Sequence, residues 1–223
     1  MRKKTLEPQQ ARSRESLRKL LQAAAEVMGQ HGLEGATIPR IARHAGLTPG
    51  SVYRRFHDKE ALLEAAILEL LERQDEEMRA GMSPVVPSPI PLAVFAEQVI
   101  TAMIVAYRSR AALVRAMRQY VQSRSHTAFG RKVSAVDVRY FKRVVEVFLS
   151  HRKEIRHPHP RIAVSMALKM VVGVLYQLII WPPDPKAWKG LLPKDDQALK
   201  QELTRAFLGY LGVGASSARH EQN

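Results

Sequence analysis

Apolar residues recur at helical spacing along almost the whole chain, and no stretch requires a strand. From Ser13 the positions Leu17, Leu20, Leu21, Ala24, Val27 and Met28 follow an i, i+3, i+4, i+7 rhythm, which predicts a first helix closing at Gly29 to Gly32. After a short link, Ile41, Ala42 and Ala45 share a face of a second helix, with Thr37 as its cap and Pro39 in its first turn, where no amide partner is lost. Gly46 allows a left-handed turn, Leu47 is an apolar plug, and Thr48-Pro49 restarts a helix whose Val52 and Phe56 point inward. Leu62, Leu63, Ala66, Ile67, Leu70 and Leu71 then predict a helix from Lys59 to about Arg79, before a Pro-rich run from Gly81 to Pro91. Beyond it, helices are expected at 92–108 (Phe95, Val99, Met103 and Ala106 on one face), 110–126 (Leu113, Met117, Tyr120) and 129–151 (Val133, Val136, Tyr140, Val144, Val147, Phe148). The segment 161–181 is apolar nearly all round and so demands burial on several sides. A last helix, 195–211, carries Leu199, Leu203, Phe207, Leu208 and Leu211 and ends at Gly212. The fold class is all-α.

This pattern divides the chain into a flexible basic arm (1–12), a three-helix head (13–58), a connecting helix (59–80), a larger helical domain (81–211) and a disordered tail (212–223). With 223 residues and 46% hydrophobic content, the chain is large enough for two cores. A net charge of +14 and a pI near 10.4 favour a polyanionic partner, either nucleic acid or an anionic lipid surface. That charge is unevenly placed: residues 1–59 hold 12 Lys/Arg against 5 acids, and 60–80 hold 2 against 7. The absence of cysteine removes disulfides, thiolate nucleophiles and Cys-ligated zinc. The basic N-terminus has no apolar run behind it and does not read as a secretory leader. The apolar stretch from Met166 to Trp181, interrupted by Lys169 and Gln177, reads as shorter than a bilayer span, so a cytoplasmic protein with no membrane partner is expected.

The hairpin at 37–59 carries the chemistry. Its second helix opens on small residues and turns outward Pro49, Gly50, Ser51, Tyr53, Arg54 and Arg55, a slim start followed by cations. A helix-turn-helix needs that shape to enter a major groove while flanking cations and hydroxyls hold phosphates. The run AGLTPGSVYRRFHDKEALL, Ala45 to Leu63, closely resembles the signature of the TetR/AcrR family of one-component transcriptional regulators; the likeness is strong over 13–80 and architectural beyond. The resemblance implies that Thr37, Thr48, Tyr53 and Lys59 contact phosphate, and that Pro49, Gly50, Ser51 and Arg54 approach base edges. Arg55 departs from the pattern, which usually has His or Tyr there, and keeps the chemistry of a phosphate contact. It further implies a homodimer through helices 161–181 and 195–211, a palindromic double-stranded DNA operator, and a small-molecule effector, most often acting on a repressor. In the arm and just after it, Arg2, Lys3, Lys4, Arg12 and Arg14 read as a solvated tail or as a minor-groove arm.

An effector pocket in the larger domain would draw on its aromatic and thioether side chains: Phe95, Met103, Tyr107, Met117 and Tyr120, with Tyr140, Phe141, Met166, Met170 and Tyr176. Such a stripe serves a core equally well. Residues 108–161 hold 14 Lys/Arg against 3 acids, so Arg115, Arg118, Arg139 or Lys142 could meet an anionic effector, although a solvated face is the favoured reading. His151, His157 and His159 lie near Glu154, but Pro158 and Pro160 deny the helical spacing of a metal site, and neither metal nor cofactor is expected. Two other classes fit the sequence less well. A helical enzyme lacks G-x-S-x-G, a P-loop, H-E-x-x-H and a nucleophilic cysteine, and a basic helical protein on anionic membranes leaves the small-residue helix start unexplained.

Overall fold

Caps and glycine turns cut the chain where the sequence places them, with several shifts at the ends. The computed structural model describes residues 7–81 and 90–213, with side chains from Ser13 onward, and every regular element among them is helical. In chain order the α-helices are α1 (Glu7–Gly35), α2 (Ile38–His44), α3 (Pro49–Tyr53), α4 (Lys59–Gly81), α5 (Leu92–Ser109), α6 (Ala111–Ser123), α7 (Ala128–Leu149), α8 (Pro160–Leu175) and α9 (Asp196–Leu211), with a 3-10 turn at Arg152–Glu154 and a π turn at Tyr176–Ile180. The first helix starts at Glu7, so residues 7–12 of the arm expected to be flexible have helical backbone. Arg2, Lys3 and Lys4 lie outside the described residues, as does the tail from 214. Gly32, at φ 68 and ψ −177, breaks α1 near the expected close, and one further turn carries it to Gly35.

The described chain packs as two compact units. The first comprises residues up to Glu76 together with Ala112–Asp137, and the second Glu77–Ala111 together with the chain from Val138. In the first unit, Leu20, Ala24 and Met28 of α1 meet Ile41 and Ala42 of α2, Val52 of α3, and Leu62, Leu63 and Ile67 of α4. Ala116 and Tyr120 of α6 and Phe129 and Val133 of α7 complete that core. The added helix sits close: a Cβ at Gly29 would lie 3.2 Å from the Cβ of Leu113. At the α6–α7 corner a Cβ at Gly130 would meet the carbonyl oxygens of Arg124 and Ser125 at 2.4 and 2.5 Å, so only glycine fits the backbone approach.

In the second unit α5 buries Leu92, Ala96, Ile100 and Ile104. The stripe expected there lies one position away: Phe95, Val99 and Met103 are half-buried and Ala106 is exposed. Ion pairs fix α5 along α9, Arg108 Nη2 to Asp196 Oδ1 at 2.7 Å and Lys200 Nζ to Glu97 Oε1 at 2.7 Å. Phe148 of α7 bridges Phe95 and Phe207, with ring centroids 4.9 and 5.1 Å apart. Helix α8 turns Ala163, Val164, Ala167, Leu168, Val171 and Leu175 inward. It stops at Leu175 and widens into a π turn over Tyr176–Ile180, where an unbroken helix to Trp181 was expected. Asp195 caps α9 by accepting the Ala198 N–H at 2.8 Å, and Gly212 closes it at φ 72. By length and mean hydropathy, α5 (18 residues, 1.3) and the run Pro160–Ile180 (21 residues, 1.9) are long and apolar enough to span a bilayer. This corrects the shorter apolar length expected from 166–181, which left out the apolar first turns of α8.

Candidate nucleic-acid interface

The turn between α2 and α3 is built from backbone and one glycine. The N–H of Gly46 bonds the Arg43 carbonyl at 3.1 Å and that of Leu47 bonds the Ala42 carbonyl at 2.8 Å, with Gly46 at φ 67. Thr48 follows in extended conformation, φ −88 and ψ 148, and its Oγ1 accepts the Ser51 N–H at 3.2 Å. Ser51 Oγ donates back to the Thr48 carbonyl at 2.7 Å. With Pro49 at the first helical position, this reciprocal pair starts a helix of 5 residues and gives the Ser51 N–H a side-chain acceptor. Val52 is fully buried and Phe56 half-buried against the core, which rotates Thr48, Pro49, Gly50, Tyr53, Arg54 and Arg55 into solvent. Tyr53 is 56% exposed, high for an aromatic residue with no structural task.

Flanking elements present the remaining candidates. Thr37 has the extended backbone of a cap but makes no capping hydrogen bond from its side chain, contrary to its expected role; it is exposed. Helix α2 starts instead through the Ile41 N–H on the Thr37 carbonyl at 2.9 Å and the preset backbone of Pro39. Lys59 opens α4 half-buried, and Asp58 just before it accepts the Ala61 N–H at 2.7 Å. Asp58 was missed by reading the motif for contacts alone, although an Asp three residues ahead of Ala61 is an ordinary helix-start signal. Behind Lys59, Tyr120 Oη donates to the Glu60 carbonyl at 3.3 Å, Arg124 lies 3.8 Å over the Tyr120 ring, and Phe129 meets that ring edge-on. Burial pushes the Tyr120 phenol up to about 12, against a smaller opposing pull from Arg124. Helices α1 and α2 are clasped by His44 Nε2 and Glu26 Oε2, 2.7 Å apart, and Gln22 bonds the other oxygen at 2.9 Å. Hydrogen bonds from Gln22 and then His44 hold the Glu26 carboxyl below its ordinary value.

The ten residues put forward for an effector pocket are divided between the two compact units. Met117 and Tyr120 pack in the first unit, in the core beneath α4. Met166 and Met170, 50% and 39% exposed, stand on the outer face of α8, because the inner face is filled by Ala163, Ala167 and Val171. Phe95, Met103, Tyr107, Tyr140, Phe141 and Tyr176 are half-buried in the second unit. Tyr107 meets Tyr176 edge-on at 5.6 Å, and Lys169 covers the Phe141 ring at 4.6 Å. Arg115, Arg118, Arg139 and Lys142 are all exposed, the first two in one unit and the others in the second. His151 is buried with Nδ1 3.2 Å from Glu154 Oε1, and that carboxylate accepts the Leu92 N–H at the start of α5. His157 Nδ1 accepts the His159 N–H at 3.1 Å.

A family model described as bacterial regulatory proteins, tetR family, matches residues 20–66, and one described as tetracyclin repressor-like, C-terminal domain, matches 91–211, more than half of the chain. The chain belongs to the TetR family. Members of the TetR family are DNA-binding transcriptional regulators, not enzymes. Among curated proteins the chain is similar to the HTH-type transcriptional regulator UidR of Escherichia coli strain K12, 36% identical over 55 residues, 25% of this chain and 28% of that protein. It is also similar to BetI 1 of Chromohalobacter salexigens, 43% identical over 54 residues, 24% of this chain and 27% of that one. The chain thus matches little more than a quarter of the length of these relatives. Over the whole TetR fold it resembles the transcriptional regulator FadR from Bacillus subtilis in complex with stearoyl-CoA (17% identity, 86% of this chain and 97% of that one, TM-score 0.59). A tetR-family regulatory protein from Rhodococcus RHA1 is similar too (20% identity, 89% and 97%, TM-score 0.56). At these identities the likeness is one of fold.

Proposed function

We propose that the protein is a cytoplasmic, homodimeric repressor that binds a palindromic operator through α3 and is released by a small molecule. The observation that carries this reading is the division of α3 into a buried Val52 and an outward face of small residues followed by Tyr53, Arg54 and Arg55. Thr37, Thr48, Tyr53, Arg55 and Lys59 hold phosphates, and Pro49, Gly50, Ser51 and Arg54 approach base edges in the major groove. Two copies pair through α8, the π turn after it and α9, which sets the two heads about one helical turn, roughly 34–36 Å, or a multiple of it, apart. In support, Ile162, Met166, Met170 and Val174 form an exposed apolar stripe down α8, a composition that a lone subunit keeps in water at a cost. An effector among Phe95, Met103, Tyr107, Tyr140, Phe141 and Tyr176 would favour a state with the heads wrongly spaced, acting through its differential affinity for the two states.

The test is binding of the full chain to DNA flanking its own gene, titrated in salt. Affinity should fall steeply with salt; Lys59→Ala should lower the slope of log affinity against log salt by about one, and Tyr53→Ala should weaken binding alike on every sequence. Unchanged binding by the double variant refutes the assignment. Adsorption to anionic vesicles without duplex binding would select a membrane role instead. Release of DNA by acyl thioesters but not by uncharged lipophiles would identify an anionic effector.

A further inference from the structure

We propose that the Ser51 hydroxyl reads an exocyclic amino group in the major groove, the N6 amine of adenine or the N4 amine of cytosine, as a hydrogen-bond acceptor. This deepens the reading of α3 as the groove-entering helix and rests on it. A serine hydroxyl carries one hydrogen and two lone pairs. Ser51 Oγ lies 2.7 Å from the Thr48 carbonyl oxygen, which has no hydrogen to give, so the hydroxyl hydrogen of Ser51 is committed inward and its lone pairs remain for the groove. The Thr48 hydroxyl is sorted the opposite way: its Oγ1 already accepts the Ser51 N–H at 3.2 Å, and its hydrogen remains for an acceptor, which is what a phosphate oxygen is. Pro49 has no N–H and Gly50 no side chain, so these two hydroxyls are the side-chain hydrogen-bonding groups of the opening turn. Thymine O4, guanine O6 and purine N7 are acceptors and cannot donate to Ser51; the amines of adenine and cytosine can.

The experiment uses the full-length protein and a duplex selected by it from a random pool. At each half-site position, adenine is replaced by purine, which lacks the amine, or by 7-deazaadenine, which lacks N7. Cytosine is replaced by 2-pyrimidinone, or its partner guanine by 7-deazaguanine. In the wild type, one position per half-site should lose roughly threefold to tenfold in affinity on removal of the amine, the worth of one hydrogen bond, and nothing on removal of N7. In Ser51→Ala that sensitivity should vanish, and in Ser51→Thr, which keeps the hydroxyl, it should persist. Should Ser51→Ala fail to fold, Ser51→Val against Ser51→Thr makes the same comparison. Amine sensitivity equal in wild type and the hydroxyl-free variant, or Ser51-dependent sensitivity to N7 instead, overturns the acceptor role while leaving α3 on the DNA. Failure of the wild type to select any duplex overturns both.

Discussion

Thr37 and Thr48 hold equivalent places at the starts of α2 and α3, each extended and each followed by a proline in the first turn, yet their hydroxyls do different things. Thr48 accepts the Ser51 N–H, and Thr37 makes no such bond. Both positions look alike in sequence, since Thr before a Pro-containing helix start is a capping signal whichever way the side chain finally turns. The difference separates two contributions that a substitution at a DNA-facing cap would usually confound. Thr48→Ala should destabilise the fold by about 1 kcal/mol and also weaken DNA binding. Thr37→Ala should leave stability within about 0.5 kcal/mol of wild type while still weakening DNA binding. Urea unfolding and fluorescence anisotropy on one operator measure the two effects; equal destabilisation at both positions would contradict the capping geometry.

Helix α4 begins where several elements meet, and its first turn is held from both sides, by Asp58 on the Ala61 N–H and by Tyr120 on the Glu60 carbonyl. Tyr120 belongs to α6, far along the chain, and its side chain was legible as apolar and helical but not as part of the head. Periodicity says which residues of a helix turn inward; it is silent on which core receives them. The same limit explains α5, where apolar residues at 92–96, 99, 100 and 102–107 offer two adjacent stripes. Packing against α9 selected Leu92, Ala96, Ile100 and Ile104. The recognition hairpin escaped this ambiguity because its signals are turn chemistry, Gly46 and Thr48-Pro49, which act locally. The buried setting of Tyr120 has a spectroscopic consequence. Its phenol is pushed from an ordinary 10 up to about 12, so its contribution to stability is complete below pH 10 and is lost as pH rises through about 12. Alkaline titration of tyrosinate absorbance should contain one phenol ionising near 12 that is missing in Tyr120→Phe. A missing phenol that ionises near 10 instead would place Tyr120 in water.

The order of elements along the chain does not decide what folds with what. The expected boundary at 81 follows a Pro-rich break, a local signal, whereas the first compact unit reaches forward to take Ala112–Asp137 and α4 passes from one unit to the other at Glu76–Glu77. The glycines that admit α6 and its corner, Gly29 and Gly130, carry that information in the sequence only once their neighbours are known. The outer face of α8 poses the complementary question, since a segment apolar nearly all round was expected to be buried on several sides and one side is open in the single chain. Ile162 at 64% and Met166 at 50% exposure are the two largest openings in that stripe, and Met170 and Val174 continue it at helical spacing toward Trp181, itself 46% exposed. A second copy covering this stripe would remove it from water at about 25 cal/mol per Å² of apolar area. Introducing charge in the middle of it tests that pairing without touching the inner face of α8. The Met166→Glu, Met170→Glu double variant should keep its helical circular dichroism, because both side chains lie outside the subunit core. Pairing through this stripe predicts that the variant sediments as a single subunit at concentrations where the wild type sediments as two. With two heads no longer linked, affinity for a full operator should fall roughly 10²-fold to 10⁴-fold, toward that of one half-site. A wild type that sediments as one subunit, or a charged double variant that stays paired, would move the interface off α8.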